Sequence, residues 1–179
     1  MTTALSNPAG SAPGAGAEYT KAILAVLGDR DPLVVLAELV PWLKARFLSV
    51  ADEHLRRPEA PGKWSAIEVV QHLADSELVV GWRVRIILTQ ETPALQGYDQ
   101  NAFARDLRYR EVPLAEAMGQ LAALRAANLR LYRSLAPAEL ARAGMHSERG
   151  RESVEHIIRM MGGHDLVHRR QIDRILQSP

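Results

Sequence analysis

The sequence predicts an all-α protein, a four-helix bundle with short extra helices and a long crossover. Three observations carry that expectation. Helical signals recur along the chain while strand signals do not. Three segments, beginning near Ser65, Leu114 and Ser153, are long enough to cross a domain, and residues 32 to 47 assemble a fourth. The chain has 179 residues, room for one sizeable core and too few for two comfortable ones. The expected organisation is a flexible tail over 1–17 and a single bundle domain over 18–179.

The tail, "MTTALSNPAGSAPGAGA", is rich in Ala, Gly, Pro and Ser. It lacks the basic start and unbroken apolar run of a secretory signal. "AEYTKAILAVLG" then reads as a short helix closed by Gly28. Asp31-Pro32 supplies an N-cap followed by proline at the first helical position. "LVVLAELVPWLKARF" has helical spacing, though Pro41 should break or kink it. "SVADEHLRRP" looks like one short turn ending before Pro58.

The strongest helix signal covers 65 to 91. Ser65 followed three residues later by Glu68 is a capping-box pattern. Val69, Leu73, Val80, Val84 and Ile87 make an apolar stripe that Val70, Ile86 and Leu88 widen, so this helix should be largely buried. "TPALQGYDQ" is a connection and "NAFARDLRYRE" a short helix or irregular crossover. After Pro113, apolar residues at 114, 117, 118, 121, 124, 131 and 135 give bundle-like patterning, interrupted by Asn128. "PAELARAG" is a short turn of helix ending at Gly144, and "MHSERGRE" reads as a loop. Ser153 caps a last helix running to about Leu176.

Composition removes several classes of function. The net charge is +1 and arginine is scattered, so no nucleic-acid footprint is visible. No apolar run approaches the roughly 20 residues needed to cross a bilayer, and a cytoplasmic protein is expected. There is no cysteine. That excludes a disulfide framework, a zinc ribbon and a cysteine nucleophile. Any metal must be held by nitrogen and oxygen.

The chemistry concentrates in "GGHDLVHRRQI", where His164 and His168 stand four residues apart. On a helix such residues lie about 5–6 Å apart at Cβ, close enough for both imidazoles to reach one ion at about 2.0–2.1 Å. A zincin-type reading of "HDLVH" is weak, because Asp165 is a methylene shorter than the glutamate base of that motif. The eleven residues after His168 contain no His or Glu, so a third ligand must come from upstream. His72, in the middle of the most buried helix, is the best candidate. It is either a core histidine bonded to Glu68 or Asp75, or a ligand whose second nitrogen one of those carboxylates steers. His146, before the last helix, is either a turn residue or a fourth polar group at the bundle mouth. His54 and His156 look like surface residues. Gly162-Gly163 would weaken a helix interior, and therefore points to close packing or ligand approach beside His164.

Four segments, "GKWSAIEVVQHLADSE", "GYDQNAFARDLRY", "HSERG" and "GGHDLVHRRQIDRIL", together resemble successive signatures of the DinB/YfiT-like family of metal-dependent enzymes. The ordered set, W-S-x-x-E-x-x-x-H followed much later by H-D-x-x-H, carries the resemblance. It implies a four-helix bundle of up-up-down-down character, often a homodimer. It also implies a divalent metal, zinc or nickel, held by three histidines that match His72, His164 and His168. The family's activities include transfer and isomerisation with low-molecular-weight thiols such as bacillithiol or mycothiol, and some members are called hydrolases.

Two functions compete. One is a metal-dependent S-transferase or hydrolase acting on a small molecule, in which the ion lowers the pKa of a bound water or binds the thiolate of a small thiol cofactor. Tyr98, Asp99 and Gln100 on the crossover and Arg83 on the long helix are then candidates for substrate contacts, with Glu68, Asp75 and Asp165 around the ligands. The other is a non-catalytic stress-response or scaffold protein, for which a saturated coordination shell without a substrate-sized cavity would speak.

Overall fold

The computed structural model describes residues 15–177, and the first fourteen residues of the expected tail lie outside them. The helices in chain order are α1 (Ala15–Leu27), α2 (Pro32–Phe47), α3 (Asp52–Arg56), α4 (Ala66–Thr89), α5 (Gln100–Asp106), α6 (Leu114–Ser134), α7 (Pro137–Leu140) and α8 (Val154–Gln177). Three short strands accompany them: β1 (Ala94–Leu95), β2 (Ala143–His146) and β3 (Gly150–Ser153). Helices α2 and α4 each pack against both α6 and α8, so α2 faces α4 across a four-helix bundle. Helix α1 lies outside this ring, against α8.

The boundaries follow local chemistry. Gly28, at φ 59°, closes α1 by donating its amide to Leu24 O at 2.9 Å. Asp31 caps α2 by accepting from Leu33 N at 2.8 Å. The capping box of α4 is present in both directions. Glu68 Oε2 accepts from Ser65 N at 2.8 Å, and Ser65 Oγ accepts from Glu68 N at 3.4 Å. Ser153 Oγ caps α8 by accepting from His156 N at 3.1 Å.

Three expectations need correction. Helix α2 runs through Pro41 without a break. Pro41 is exposed, so the carbonyl it leaves unpaired faces solvent rather than the core. The segment read as a loop, with Gly144 ending a helix, is instead an antiparallel hairpin of β2 and β3, with β1 added in parallel to β2. These strands lack the alternating β-branched run that marks a strand in sequence. They form because Pro93 O and Leu95 O accept from Met145 N (2.8 Å) and Ser147 N (3.0 Å), a long-range pairing that supports a hairpin too small to stand alone. Finally, the buried face of α6 runs through Leu121, Arg125, Asn128, Leu129 and Tyr132 rather than through Leu124, Leu131 and Leu135. A buried arginine defeats a reading based on apolar spacing alone.

Two apolar clusters fill the bundle. One joins α2, α4, α6 and the end of α8 around Leu39, Leu43, Ile67, Leu73, Leu121 and Ile172. The other joins Leu36, Val84, Ile87, Tyr132, Ile158 and Met161. The polar residues described next are also part of this interior. No helix among the described residues is long and apolar enough to cross a membrane.

Candidate metal centre

His72 projects from the second turn of α4, and His164 and His168 from successive turns of α8. The three Nε2 atoms converge. His164 Nε2 lies 3.1 Å from His72 Nε2 and 3.1 Å from His168 Nε2. All three ligand atoms fall within 4.8 Å of one another. Three nitrogens bound tetrahedrally at about 2.0–2.1 Å would stand about 3.3 Å apart. The cluster therefore has the dimensions of one metal's coordination face.

Proton counting favours a cation too. A single Nε2 can donate one hydrogen or accept through one lone pair, not both. His164 Nε2, with two imidazole nitrogens at 3.1 Å, can satisfy only one of them. A cation satisfies all three lone pairs at once. His168 Nδ1 donates to Gln171 Oε1 at 2.8 Å, which leaves its Nε2 unprotonated and turned to the cluster. Burial, reinforced by the neighbouring histidines, lowers His72 and His164 well below the usual imidazole range. Burial likewise pushes His168 down to about 4. All three are neutral at pH 7, the form that ligates.

The structure brings together His72, His164 and His168, while Glu68, Asp75 and Asp165 have other partners. Neither Glu68 nor Asp75 reaches His72, whose Nδ1 has no partner among the described residues, as is also true of His164 Nδ1. Glu68 is occupied by the capping box and by Arg110 Nε at 2.9 Å. Asp75 accepts from Tyr109 OH (2.6 Å), Gln71 Nε2 (3.2 Å) and Gln120 Nε2 (3.1 Å). Asp165, fully buried, binds Arg125 at 2.5 and 3.0 Å. Its adjacency to His164 in sequence turns it away from the cluster, because consecutive helical residues point in different directions. Asp99 is exposed and caps α5 by accepting from Asn101 N and Ala102 N.

The remaining candidates lie together in a cleft. It encloses about 670 Å³ of empty space, mouth included, and has His72 and His164 among its walls. Arg83, Tyr98 and Gln100 line it, as does His146 from β2. Tyr98 OH and Ser76 Oγ are hydrogen-bonded at 3.2 Å. Trp64 packs on the His72 ring with centroids 4.9 Å apart. Gly162 and Gly163 serve packing rather than ligand approach. A Cβ on Gly163 would collide with Ile23 O and stand 2.8 Å from Ile23 Cγ2, so α1 can lie against α8 only at glycine.

Gln171 was not foreseen in the sequence, although it is three residues beyond His168 on the same helical face. The hairpin also places Arg149 and Glu152 in the cleft wall; Glu152 carried no signal in the sequence because the strand that holds it was invisible.

The family model of the DinB superfamily matches residues 42–172. The chain belongs to the DinB superfamily. An Oceanobacillus iheyensis relative, named "Putative metal-dependent hydrolase OB0782", is 28% identical over 136 residues, covering 74% of this chain and 78% of the relative. Bacillus subtilis YfiT, also named as a putative metal-dependent hydrolase, is 32% identical over 117 residues, covering 64% of each. The solved structure of YfiT superposes with a TM-score of 0.75 at 26% identity, covering 80% of this chain and 83% of that one. It is described as a probable metal-dependent hydrolase with an unusual four-helix bundle topology. This superfamily member shares that architecture, with α2 and α4 placed diagonally.

Proposed function

We propose that this protein is a metal-dependent hydrolase of a small molecule, with His72, His164 and His168 as the ligands of one divalent ion. The observation that carries the reading is the convergence of three neutral Nε2 atoms, two pairs of them at 3.1 Å. Three nitrogen ligands leave coordination positions free, the pattern of catalytic rather than structural sites. When bound, the ion would supply Lewis acidity toward a water or toward a thiolate. The names of the similar proteins support the hydrolytic reading.

The chain's own residues do the rest. Gln171 holds the tautomer and orientation of His168. Trp64 shields one face of His72 from water. The cleft reaches His72 and His164, so a substrate can approach from that side. This opening supports an enzyme over a scaffold, whose ion would be enclosed. Thiol-dependent transfer is the second reading. Because the chain has no cysteine, an external low-molecular-weight thiol would have to enter the same cleft.

Metal analysis of the purified protein, paired with assays of ester and amide hydrolysis and of thiol addition to electrophiles, tests both readings. About one zinc or nickel per chain is expected, lost in His164→Ala, with activity that disappears on chelation and returns with metal. Hydrolysis that survives chelation in full, or a protein that takes up no divalent ion, would sink the proposal. Turnover only with added thiol would select transfer.

A further inference from the structure

His146 and Arg83 are buried polar groups whose bonding is incomplete, and both face the cleft described above. His146, on the middle strand of the small sheet, is 3% exposed. Its Nδ1 accepts from Glu148 N at 3.1 Å, so the proton of the neutral ring sits on Nε2. That Nε2–H has no partner among the described residues. A buried donor left unpaired keeps the full cost of its desolvation, which calls for an acceptor. Burial, with Arg149 beside it, pushes His146 down to about 4, so it remains a neutral donor at pH 7.

Arg83 is 6% exposed and has no carboxylate partner among the described residues. Among the described residues its one hydrogen bond goes to Gln96 O, and its guanidinium lies 5.9 Å from the Tyr98 ring centroid. The other cation of the cleft is already neutralised, because Arg149 binds Glu152 at 2.6 and 3.0 Å. Arg83 therefore has no directly bonded counter-ion among the described residues, although Glu148 and Glu152 act on it from a distance, and its remaining N–H groups are open to an anionic acceptor. Ile157, Met160 and Met161 give the same cleft an apolar wall.

We propose that Arg83 and the Nε2–H of His146 form a carboxylate-binding subsite, so that the substrate is a small monoanionic carboxylic acid with an apolar portion. This deepens the hydrolase reading and rests on it only for which end of the substrate reacts. A planar carboxylate offers two acceptor oxygens to a guanidinium edge and one imidazole N–H. A monoanion fits better than a phosphate dianion, since the carboxylate of Glu148 also lines the cleft and would repel the second charge. Here Arg83 and His146 bind and orient.

The test uses the full chain without metal, titrated with butyrate and with its neutral isostere butyramide, read by the backbone amide NMR signals of the cleft residues Gly97, Tyr98 and Glu148, which every variant retains. Butyrate is expected to shift them in the millimolar range, and butyramide to bind at least about tenfold more weakly. Arg83→Met and His146→Phe should each weaken butyrate about tenfold, while His146→Gln, which keeps a donor near Nε2, recovers most of the loss. Equal binding of butyrate and butyramide, or no shift with either, overturns the subsite. So does unchanged butyrate affinity in folded Arg83→Met and His146→Phe. Should those variants fail to fold, the comparison of butyrate with butyramide on the unaltered chain decides. Butyrate that binds only after metal loading, and equally to all variants, is sitting on the ion, which ends this proposal and spares the metal site. The expected variant pattern in a chain that takes up no metal would do the reverse.

Discussion

His164 and Asp165 are neighbours in the chain, yet they belong to two buried polar assemblies of opposite character. Asp165 joins a network that is almost fully paired. Arg125 Nη1 donates to Asp165 Oδ2 and to Leu36 O at 2.5 and 2.7 Å, while Nη2 donates to Asp165 Oδ1 at 3.0 Å and lies 3.0 Å from Glu77 Oε1. Asn128 Nδ2 donates to Glu77 Oε2 at 2.8 Å. Burial works against the Arg125 charge, but Asp165 and Glu77 outweigh it and hold the guanidinium above its ordinary pKa. The network ties α2, α4, α6 and α8 together through polar bonds. His164 joins a cluster whose lone pairs face each other and whose Nδ1 atoms are mostly unpaired. The difference separates a structural device from a functional one. A buried polar group whose partners lie within the chain holds the fold, and one whose partners do not is suited to a ligand.

The largest expected effect is the loss of metal on changing one histidine. His72→Ala should abolish stoichiometric metal uptake while circular dichroism stays helical, because apolar clusters rather than the ion hold the bundle. A metal-free protein that unfolds outright would place the histidines on the structural side of the comparison.

Acid should have a similar effect reversibly. The folded-state pKa of His168 is about 4, with His72 and His164 also lowered, whereas free histidine titrates near 6.5. Below about 6.5 the unfolded chain takes up protons that the folded chain refuses. Stability of the metal-free protein is therefore full above that pH and is lost as pH falls from there through about 4. Metal occupancy should fall in the same direction, since protons compete for the ligating nitrogens. Denaturant melts and occupancy measured from pH 8 to 4 would check this. Occupancy that stays flat at limiting metal would point to carboxylate ligands instead.

The paired network should respond the other way. Arg125→Met leaves Asp165 and Glu77 buried without their cation and should cost about 3–5 kcal/mol in urea unfolding, while metal stoichiometry in the folded fraction is unchanged. A loss of metal larger than the loss of fold would mean that the two assemblies act as one. The smallest effect is expected at the link between pairing and ligation. Gln171→Ala frees His168 Nδ1 and should weaken metal affinity about tenfold with little change in stability. Competition with a chelator of known affinity would read the difference.

Much of this was legible in the residues. Caps at Asp31, Ser65 and Ser153 mark where three of the four bundle helices begin, because capping is satisfied within three residues of the chain. The spacing of His164 and His168 puts two imidazoles on one face of any helix, whatever surrounds it. Other features depended on distant partners. Arg125 breaks an apolar stripe and reads as surface until Asp165 and Glu77 meet it from two other helices. Glu68 and Asp75 looked like partners of His72 from helical spacing, and Arg110 and Tyr109, more than thirty residues away in sequence, took them instead.

The sequence by itself determined the helices, their starting points and the shared face of two histidines of the cluster, since these rest on backbone periodicity and local hydrogen bonds. Only the tertiary structure brought His72 to the other two, paired each buried carboxylate, and built the hairpin that turns His146 toward the cleft. Those outcomes depend on which helices meet and at what height. No local spacing encodes that, and the packing of α4, α6 and α8 decides it.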